Sequence, residues 1–449
     1  MLQFNRQVLS LVSASLLLGS FSIGHSFESA HAVPPNLANL IAQSSNAEAL
    51  LEQGNAKYAK KDYRGAISDY SDAIRLKPNY ALAYFNRGTV KSALGDKQGA
   101  NSDYTDAIRI NQNWGSRSLA DAYYNRGLAK YGLGDKQSAI VDYNAAIRLN
   151  PNDADMYTGR GVAKYDLGDK QGAITDFNDA IRLNPNYALA YYNRGNVKRK
   201  LGDKQSAIAN YNAAIRLKPD YADAYNNRGN AKSDLADRQG AIADYNEAIR
   251  LKPNYALAYF NRGLAKYNSG DKQGANSDYT DAIRINQNWG SRSLADAYYS
   301  LGLAKYDLGD KQSAIANYNA AIRLKPDYAD AYNNRGLAKS DLGDKQGAIA
   351  DYNESIRLKN SELHLPYYNR GLAKSALGDK QGADSDYNEA IRLNSNYPNA
   401  YYSRGLIKKE RGDKQEALAD FWKASELYQQ QGNTEWYNKS LDRIRELGG

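Results

Sequence analysis

Residues 222–255 read ADAYNNRGNAKSDLADRQGAIADYNEAIRLKPNY, and this stretch decides the fold. Tyr225, Gly229 and Lys232 fall at i, i+4 and i+7, the stripe of a first helix, and Ala241, Tyr245 and Ala248 repeat that spacing on a second. Between them stands Leu235-Ala236-Asp237-Arg238. Elsewhere in the chain the place of Ala236 is usually Gly, which takes the left-handed conformation that ends a helix. The Asp after it is an N-cap for the next helix. Pro253 closes the second helix. Small residues at Gly229, Ala241 and Ala248 let the two helices approach closely, and Tyr225 and Tyr245 are expected to fill the space between them. The stretch is a helical hairpin.

The rest of the chain is this unit repeated. Gly-Asp-Lys-Gln recurs from Gly95, Gly134, Gly168, Gly202, Gly270, Gly309, Gly343, Gly378 and Gly412, with variants at Lys61 and Ala236 in phase. Successive starts lie 34 residues apart seven times, 39 twice and 35 once. The repeats are expected at 47–80, 81–119, 120–153, 154–187, 188–221, 222–255, 256–294, 295–328, 329–363, 364–397 and 398–431. Such a period means a solenoid, in which each hairpin covers its neighbour's apolar face. The expected fold class is therefore all-α, one long solenoid rather than several globular domains.

Repeat positions are counted 1–34 from Ala222. Position 8 is Gly and position 20 Ala in all eleven copies, position 24 is always Tyr or Phe, and position 4 is Tyr in ten. With the Pro near the end, this pattern resembles the tetratricopeptide repeat. The resemblance implies a right-handed superhelix of helical hairpins whose first helices line a concave groove. Two departures stand out. Position 7, usually apolar in the family, is Arg in nine copies, and position 11, usually aromatic, is Lys in all eleven. Position 23 is Asp in nine copies, which predicts Arg–Asp pairs within or between hairpins, because a buried unpaired cation is costly, with an anion-binding stripe as the other reading. The copy with Leu301 at position 7 has Asn317 at position 23, so both charges vanish together, whereas Arg194 keeps its charge beside Asn210.

Composition narrows the chemistry. The 449 residues include 38 Tyr, 7 Phe, 3 His and no Cys, at 42% apolar content and a net charge of +9. Disulfides, thiolate metal sites and Cys nucleophiles are excluded. Positions 4 and 24 take nineteen of the tyrosines, expected as hairpin core, and position 34 takes six at junctions. Basic residues alternate with acids in every copy, so no specific nucleic-acid partner is expected.

The ends differ from the repeats. Arg6, an apolar run from Val8 to about Ile23, and Ala30-His31-Ala32 read as a secretory signal peptide spanning 1–32. An exported protein, periplasmic or extracellular, is expected, with no membrane span after cleavage. Residues 33–46 form an N-terminal lead-in. Residues 432–449 form a capping helix, with Thr434 as the expected N-cap and Tyr437, Leu441 and Ile444 on one face. Pro78–Asn113 and Pro253–Asn288 are nearly identical at an offset of 175 residues, and both run into Trp-Gly-Ser-Arg-Ser-Leu at Trp114 and Trp289. The inserted Trp is expected to pack on the adjacent hairpin, with a binding anchor as the other reading. Arg117 and Arg292 are weak candidates for an anion contact.

No phosphate-binding loop, dinucleotide fingerprint or His-Glu-x-x-His is present, and after cleavage His364 is the one histidine left. The expectation is a non-enzymatic protein, without cofactor or metal, that binds. In the family, positions 2, 5, 6, 9, 12 and 13 usually face the groove. Position 6 carries Asn86, Asn125, Asn193, Asn227, Asn261, Asn334 and Asn369. An amide offers donor and acceptor to a peptide backbone. This resembles the asparagine ladder in the superhelical repeats of O-linked N-acetylglucosamine transferase. Tyr124, Tyr131, Tyr165, Tyr192, Tyr299, Tyr306 and Tyr368 would offer apolar faces with polar tips. A carboxylate clamp for chaperone C-termini is rejected, since its position 5 Lys is Leu51 here. The expected function is a protein–protein interaction scaffold binding an extended peptide or protein partner in the groove. A glycan- or cell-envelope-binding module using the same Tyr/Asn-lined groove is the alternative.

Overall fold

A computed structural model of the chain describes residues 35–112, 114, 118–286, 289 and 293–449. The expected signal peptide, and Arg117 and Arg292, lie outside the described residues. Among the described residues every regular element is an α-helix, twenty-three in all. The chain divides into two compact units, the first ending at Ala231 and the second starting at Lys232.

The first unit holds α1 (Pro35–Ala59), α2 (Tyr63–Leu76), α3 (Ala81–Ala93), α4 (Lys97–Ile110), α5 (Leu119–Gly132), α6 (Lys136–Leu149), α7 (Ala154–Asp166), α8 (Lys170–Leu183), α9 (Ala188–Lys200), α10 (Lys204–Leu217) and most of α11 (Ala222–Ser233). The second holds α12 (Arg238–Leu251), α13 (Ala256–Asn268), α14 (Lys272–Ile285), α15 (Leu294–Asp307), α16 (Lys311–Leu324), α17 (Ala329–Asp341), α18 (Lys345–Arg357), α19 (His364–Ala376), α20 (Lys380–Leu393), α21 (Pro398–Arg411), α22 (Lys414–Gln430) and α23 (Thr434–Glu446). Helices pack as consecutive hairpins, α1 on α2 through α9 on α10 and α13 on α14 through α21 on α22. Within each unit the second helix of a hairpin also packs on the first helix of the next. First helices touch one another from α1 to α9 and from α13 to α19, whereas successive second helices do not pack so closely. In each of these stacks the first helices therefore lie on the inner side of the bend.

The local chemistry of the hairpin accounts for this stacking. Position 15 takes a left-handed turn, as at Gly95 (φ 87°) and Gly343 (φ 93°). Lys61 (φ 62°) and Ala236 (φ 63°) adopt the same turn with a side chain attached. The Asp that follows caps the second helix; Asp96 Oδ1, for example, accepts from Gly99 N–H at 2.8 Å. The position 8 glycine marks the closest approach. A Cβ on Gly263 would stand 2.8 Å from Cε1 of Tyr279, which is fully buried at position 24. Each such aromatic contributes about 1.5–3 kcal/mol by burial, and its ring lies where Gly has no side chain.

Position 4 corrects the sequence reading. Its tyrosines are half-buried, not hairpin core. The position 7 Arg, one turn on, lies over the ring: the guanidinium carbon is 5.4 Å from the Tyr84 centroid for Arg87 and 5.1 Å from the Tyr332 centroid for Arg335. The ring thus shields a charged group at the hairpin's edge. Position 34 tyrosines are junction residues, with Tyr80, Tyr221 and Tyr255 buried.

The end segments also differ in detail. The lead-in continues α1 without a break, and Lys77 Nζ donates back to Ser44 Oγ at 3.2 Å. On α23 the N-cap is Asn433, not Thr434: Asn433 Oδ1 accepts from Trp436 N–H at 3.2 Å, which makes Thr434 the first helical residue. Tyr437, Leu441 and Ile444 face the core, together with Trp436, which meets Tyr402 edge-on with centroids 5.3 Å apart. No helix among the described residues is long and apolar enough to cross a membrane.

Candidate functional site

The charges of the hairpin interior are consumed by the fold. Asp103 accepts from Arg87 Nε at 3.0 Å and Nη2 at 2.8 Å, and pairs with Lys91 Nζ at 2.8 Å. The same bidentate pair joins Arg126 to Asp142, Arg160 to Asp176, Arg262 to Asp278, Arg335 to Asp351, Arg370 to Asp386 and Arg404 to Asp420. The remaining Nη1 reaches position 25 of the preceding hairpin, for example Asn246 Oδ1 from Arg262 and Asn319 Oδ1 from Arg335, both at 2.7 Å. One side chain thus ties its own hairpin together and anchors it to its neighbour.

The exceptional copies keep the geometry. Arg194 Nε donates to Asn210 Oδ1 at 2.7 Å, and burial without a carboxylate lowers the Arg194 pKa. Lys198 and Lys305, facing Asn210 and Asn317, pair instead with Asp203 and Asp310 at 3.4 and 3.3 Å.

The position 6 amides are less available than the sequence implies. Asn193 is 0% exposed and Asn261 8%, so neither presents its side chain to a ligand. Elsewhere the amide nitrogen is spent on the protein itself. Asn86 donates to Asn55 at 3.0 Å, Asn125 to the Asp121 carbonyl at 2.8 Å, and Asn369 to Asn333 at 3.2 Å. Asn227 donates to Tyr192 Oη at 3.0 Å and Asn196 at 2.9 Å, and Asn334 to Tyr299 Oη at 2.9 Å. Apart from the Asn125 bond, which stays within α5, these bonds stitch one first helix to the next, and the Oδ1 atoms of Asn227 and Asn334 each accept once from the neighbouring Asn226 and Asn333.

The tyrosines divide in two. Those at position 5 pack inward on position 24: Tyr124 on Tyr143, Tyr192 on Tyr211, Tyr299 on Tyr318 and Tyr368 on Tyr387, with centroids 5.7–6.1 Å apart. Tyr192 is only 3% exposed and is corrected from groove to core. Burial, then the Asp155 carboxylate, raises the Tyr124 hydroxyl well above its usual range; burial and Asp330 push Tyr299 up to about 12. Those at position 12 are half-buried at the hairpin-turn end. Tyr131 donates to Asp166, and Tyr306 to Asp341 at 2.7 Å, with Lys311 3.0 Å from the same Asp341. Tyr165 lies on that edge without a hydrogen bond of its side chain among the described residues.

The inserted tryptophans pack, but against the first helix of their own repeat rather than the adjacent hairpin. Trp114 and Trp289 meet Phe85 and Phe260 edge-on at 6.3 Å, and each Nε1 donates at 3.1 Å, to Asn111 and Asn286 respectively. His364 stands edge-on to Tyr397 at 5.0 Å, 3.3 Å from Asn394 Nδ2.

What remains accessible, most completely on α5, α15 and α17, is a half-exposed face at positions 2, 6 and 9 with the position 12 edge beside it. Sequence reasoning stressed position 6 and missed the aspartates of position 2 and the leucines of position 9.

Family models match the repeats directly. Family models described as TPR repeat match residues 54–95, 163–202, 195–235, 238–270 and 302–343. Models described as Tetratricopeptide repeat match 120–153, 329–362 and 366–397. Together they span more than half of the chain. No curated protein matches by sequence search. Among solved structures, MamA is 30% identical over 35% of this chain and 93% of its own, with a TM-score of 0.34. YrrB, described as a TPR protein with an unusual peptide-binding site, is 20% identical over 43% of this chain and 97% of its own, at 0.38. The Cut9–Hcn1 hetero-tetramer of APC/C matches at 14% identity over 91% and 98%, at 0.47. The hairpin, its glycine and tyrosine contacts and the family matches lead to one conclusion: the chain belongs to the tetratricopeptide repeat family.

Proposed function

We propose that the protein is a non-enzymatic interaction scaffold that holds an extended peptide or protein segment against the inner face of its first helices. One observation carries this reading. The interior charges are paired within and between hairpins, while positions 2, 6 and 9 of the first helices keep half-exposed carboxylates, amide oxygens and leucines. That mixture suits an extended backbone with side chains on alternate sides. We further propose that the scaffold works outside the cytoplasm, on the strength of the signal-like residues 6–32.

The reading is tested by titrating the chain from Val33 onward with an immobilised peptide library. Peptides that bind are expected to lose affinity when Leu303 and Leu337 are replaced by Ser. Binding that survives these substitutions unchanged would place the site elsewhere.

A further inference from the structure

Two adjacent first helices carry lines of acidic, polar and apolar side chains that stay half-exposed, and a related set stands 175 residues earlier. On α15 and α17, Asp296 and Asp330 stand at position 2, Ser300 and Asn334 at position 6, and Leu303 and Leu337 at position 9. These positions are i, i+4 and i+7, so each helix presents acid, polar group and leucine in one line. The two helices touch, so the lines run side by side. On α5 and α7, 175 residues earlier, the corresponding positions are Asp121, Asn125, Leu128 and Asp155, Gly159, Val162, the last two buried.

The carboxylates are the unusual part. The acids of three other rows have named cations, as Asp278 has Arg262 and Lys266, Asp281 has Arg284 and Asp307 has Lys272, and those of position 16 serve as helix N-caps. Asp121, Asp155, Asp296 and Asp330 have no cation within 4 Å among the described residues, in a chain of net charge +9. Asp121 and Asp296 accept from Ser118 and Ser293, and Asp155 from the Tyr187 hydroxyl. Asp153 adds a further acid beside Asp155: burial, Asp155 and Asp121 raise its pKa. The helix N-terminus favours these carboxylates without cancelling their charge. All four are half-exposed, as are Leu128, Leu303 and Leu337.

We infer that each of these helix pairs takes an extended peptide in which basic side chains alternate with apolar ones. The basic groups meet the position 2 aspartates and the apolar ones Leu128, Leu303 and Leu337. Asn125 Oδ1, and Asn334 Oδ1 beside the bond it already accepts from Asn333 Nδ2, accept from the peptide backbone between them. This rests on the groove reading above and gives it a charge sign and a stoichiometry.

The test uses the chain from Val33 onward and three labelled twelve-residue peptides, read by fluorescence anisotropy. One alternates Lys and Leu with Ser spacers, the second has Glu for Lys, and the third has Ser for Leu. The Lys/Leu peptide is expected to bind at two sites per chain and at least about tenfold tighter than the other two. Asp296→Asn with Asp330→Asn removes one of the two sites, and Asp121→Asn with Asp155→Asn removes the other. Equal affinity for the Lys and Glu peptides, or two sites persisting in either double variant, overturns the inference and leaves the groove reading standing. Failure of all three peptides, alongside failure of the library, sinks both.

Discussion

Asp278 offers the sharpest test of how the hairpins are held. It is 2% exposed and accepts from Arg262 Nε at 2.9 Å, Arg262 Nη2 at 2.6 Å and Lys266 Nζ at 2.9 Å. Asp278→Ala leaves two cations facing a void. Removing one partner of a buried pair costs about 3–5 kcal/mol. The Arg262 and Lys266 side chains keep 17% and 23% exposure, so water reaches them and the lower end, about 3 kcal/mol, is expected. Asp278→Asn costs less, about 1–2 kcal/mol. Its Oδ1 can still accept from Arg262 as Asn210 does from Arg194, and Lys266 can turn to Asp271 as Lys198 turns to Asp203. Arg262→Leu with Asp278→Asn reproduces the Leu301/Asn317 combination already present in the chain and should recover to within about 1 kcal/mol of the parent. A solenoid opens locally rather than as one two-state body, so native-state hydrogen exchange on α13 and α14 is the assay. About 3 kcal/mol lowers amide protection there about 150-fold. Equal costs for the Ala and Asn variants, or a cost below about 0.5 kcal/mol for both, would refute the reasoning.

Other expectations follow from single features. Ala236→Gly relieves a side chain held at φ 63° and should add about 1 kcal/mol of local stability, whereas Gly343→Ala at φ 93° should lose about as much or more; exchange of the flanking helices reports both. Gly263→Ala drives a methyl to 2.8 Å from the Tyr279 ring and should cost about 1–3 kcal/mol, seen as faster exchange in α13 and α14. Asn334→Ala strips the partner from Tyr299 Oη and from Asn333 Nδ2, so a loss of about 1–3 kcal/mol in thermal stability should accompany any loss of binding. Hydrogen bonds from Lys409 and Arg443 hold the Glu446 carboxyl down to about 2. A depressed folded pKa means the clamp between α21 and α23 is complete above about pH 4.5 and is lost as pH falls toward 2. Trp436 fluorescence across that range should report the loosening, and an unchanged signal would contradict it.

Much of the hairpin was legible in the residues because its contacts are local and repeated. Glycine at position 8 and Tyr at position 24 had to meet, and Arg at position 7 needed the Asp sixteen residues on. What the sequence could not reveal is which atoms a polar group uses. Asn227 and Asn334 look alike as ladder amides, yet their nitrogens are claimed by Tyr192 and Tyr299 on the preceding first helix. That bond depends on how hairpins stack. Tyr84 and Tyr104 share a residue type but differ in burial, since Arg87 lies over Tyr84 while Tyr104 runs beneath Gly88. Asn433 displaced Thr434 as cap because both residue types suit that role and only the backbone path selects between them.

The central claim is that partners are held on the first-helix face. Hydrogen exchange of the chain from Val33 onward, with and without a peptide selected from the library, tests it most directly. The account predicts added protection in α5, α7, α15 and α17, with α6, α8, α16 and α18 unchanged. Protection confined to the second helices, or to the hairpin turns around Leu133 and Leu308, would contradict it.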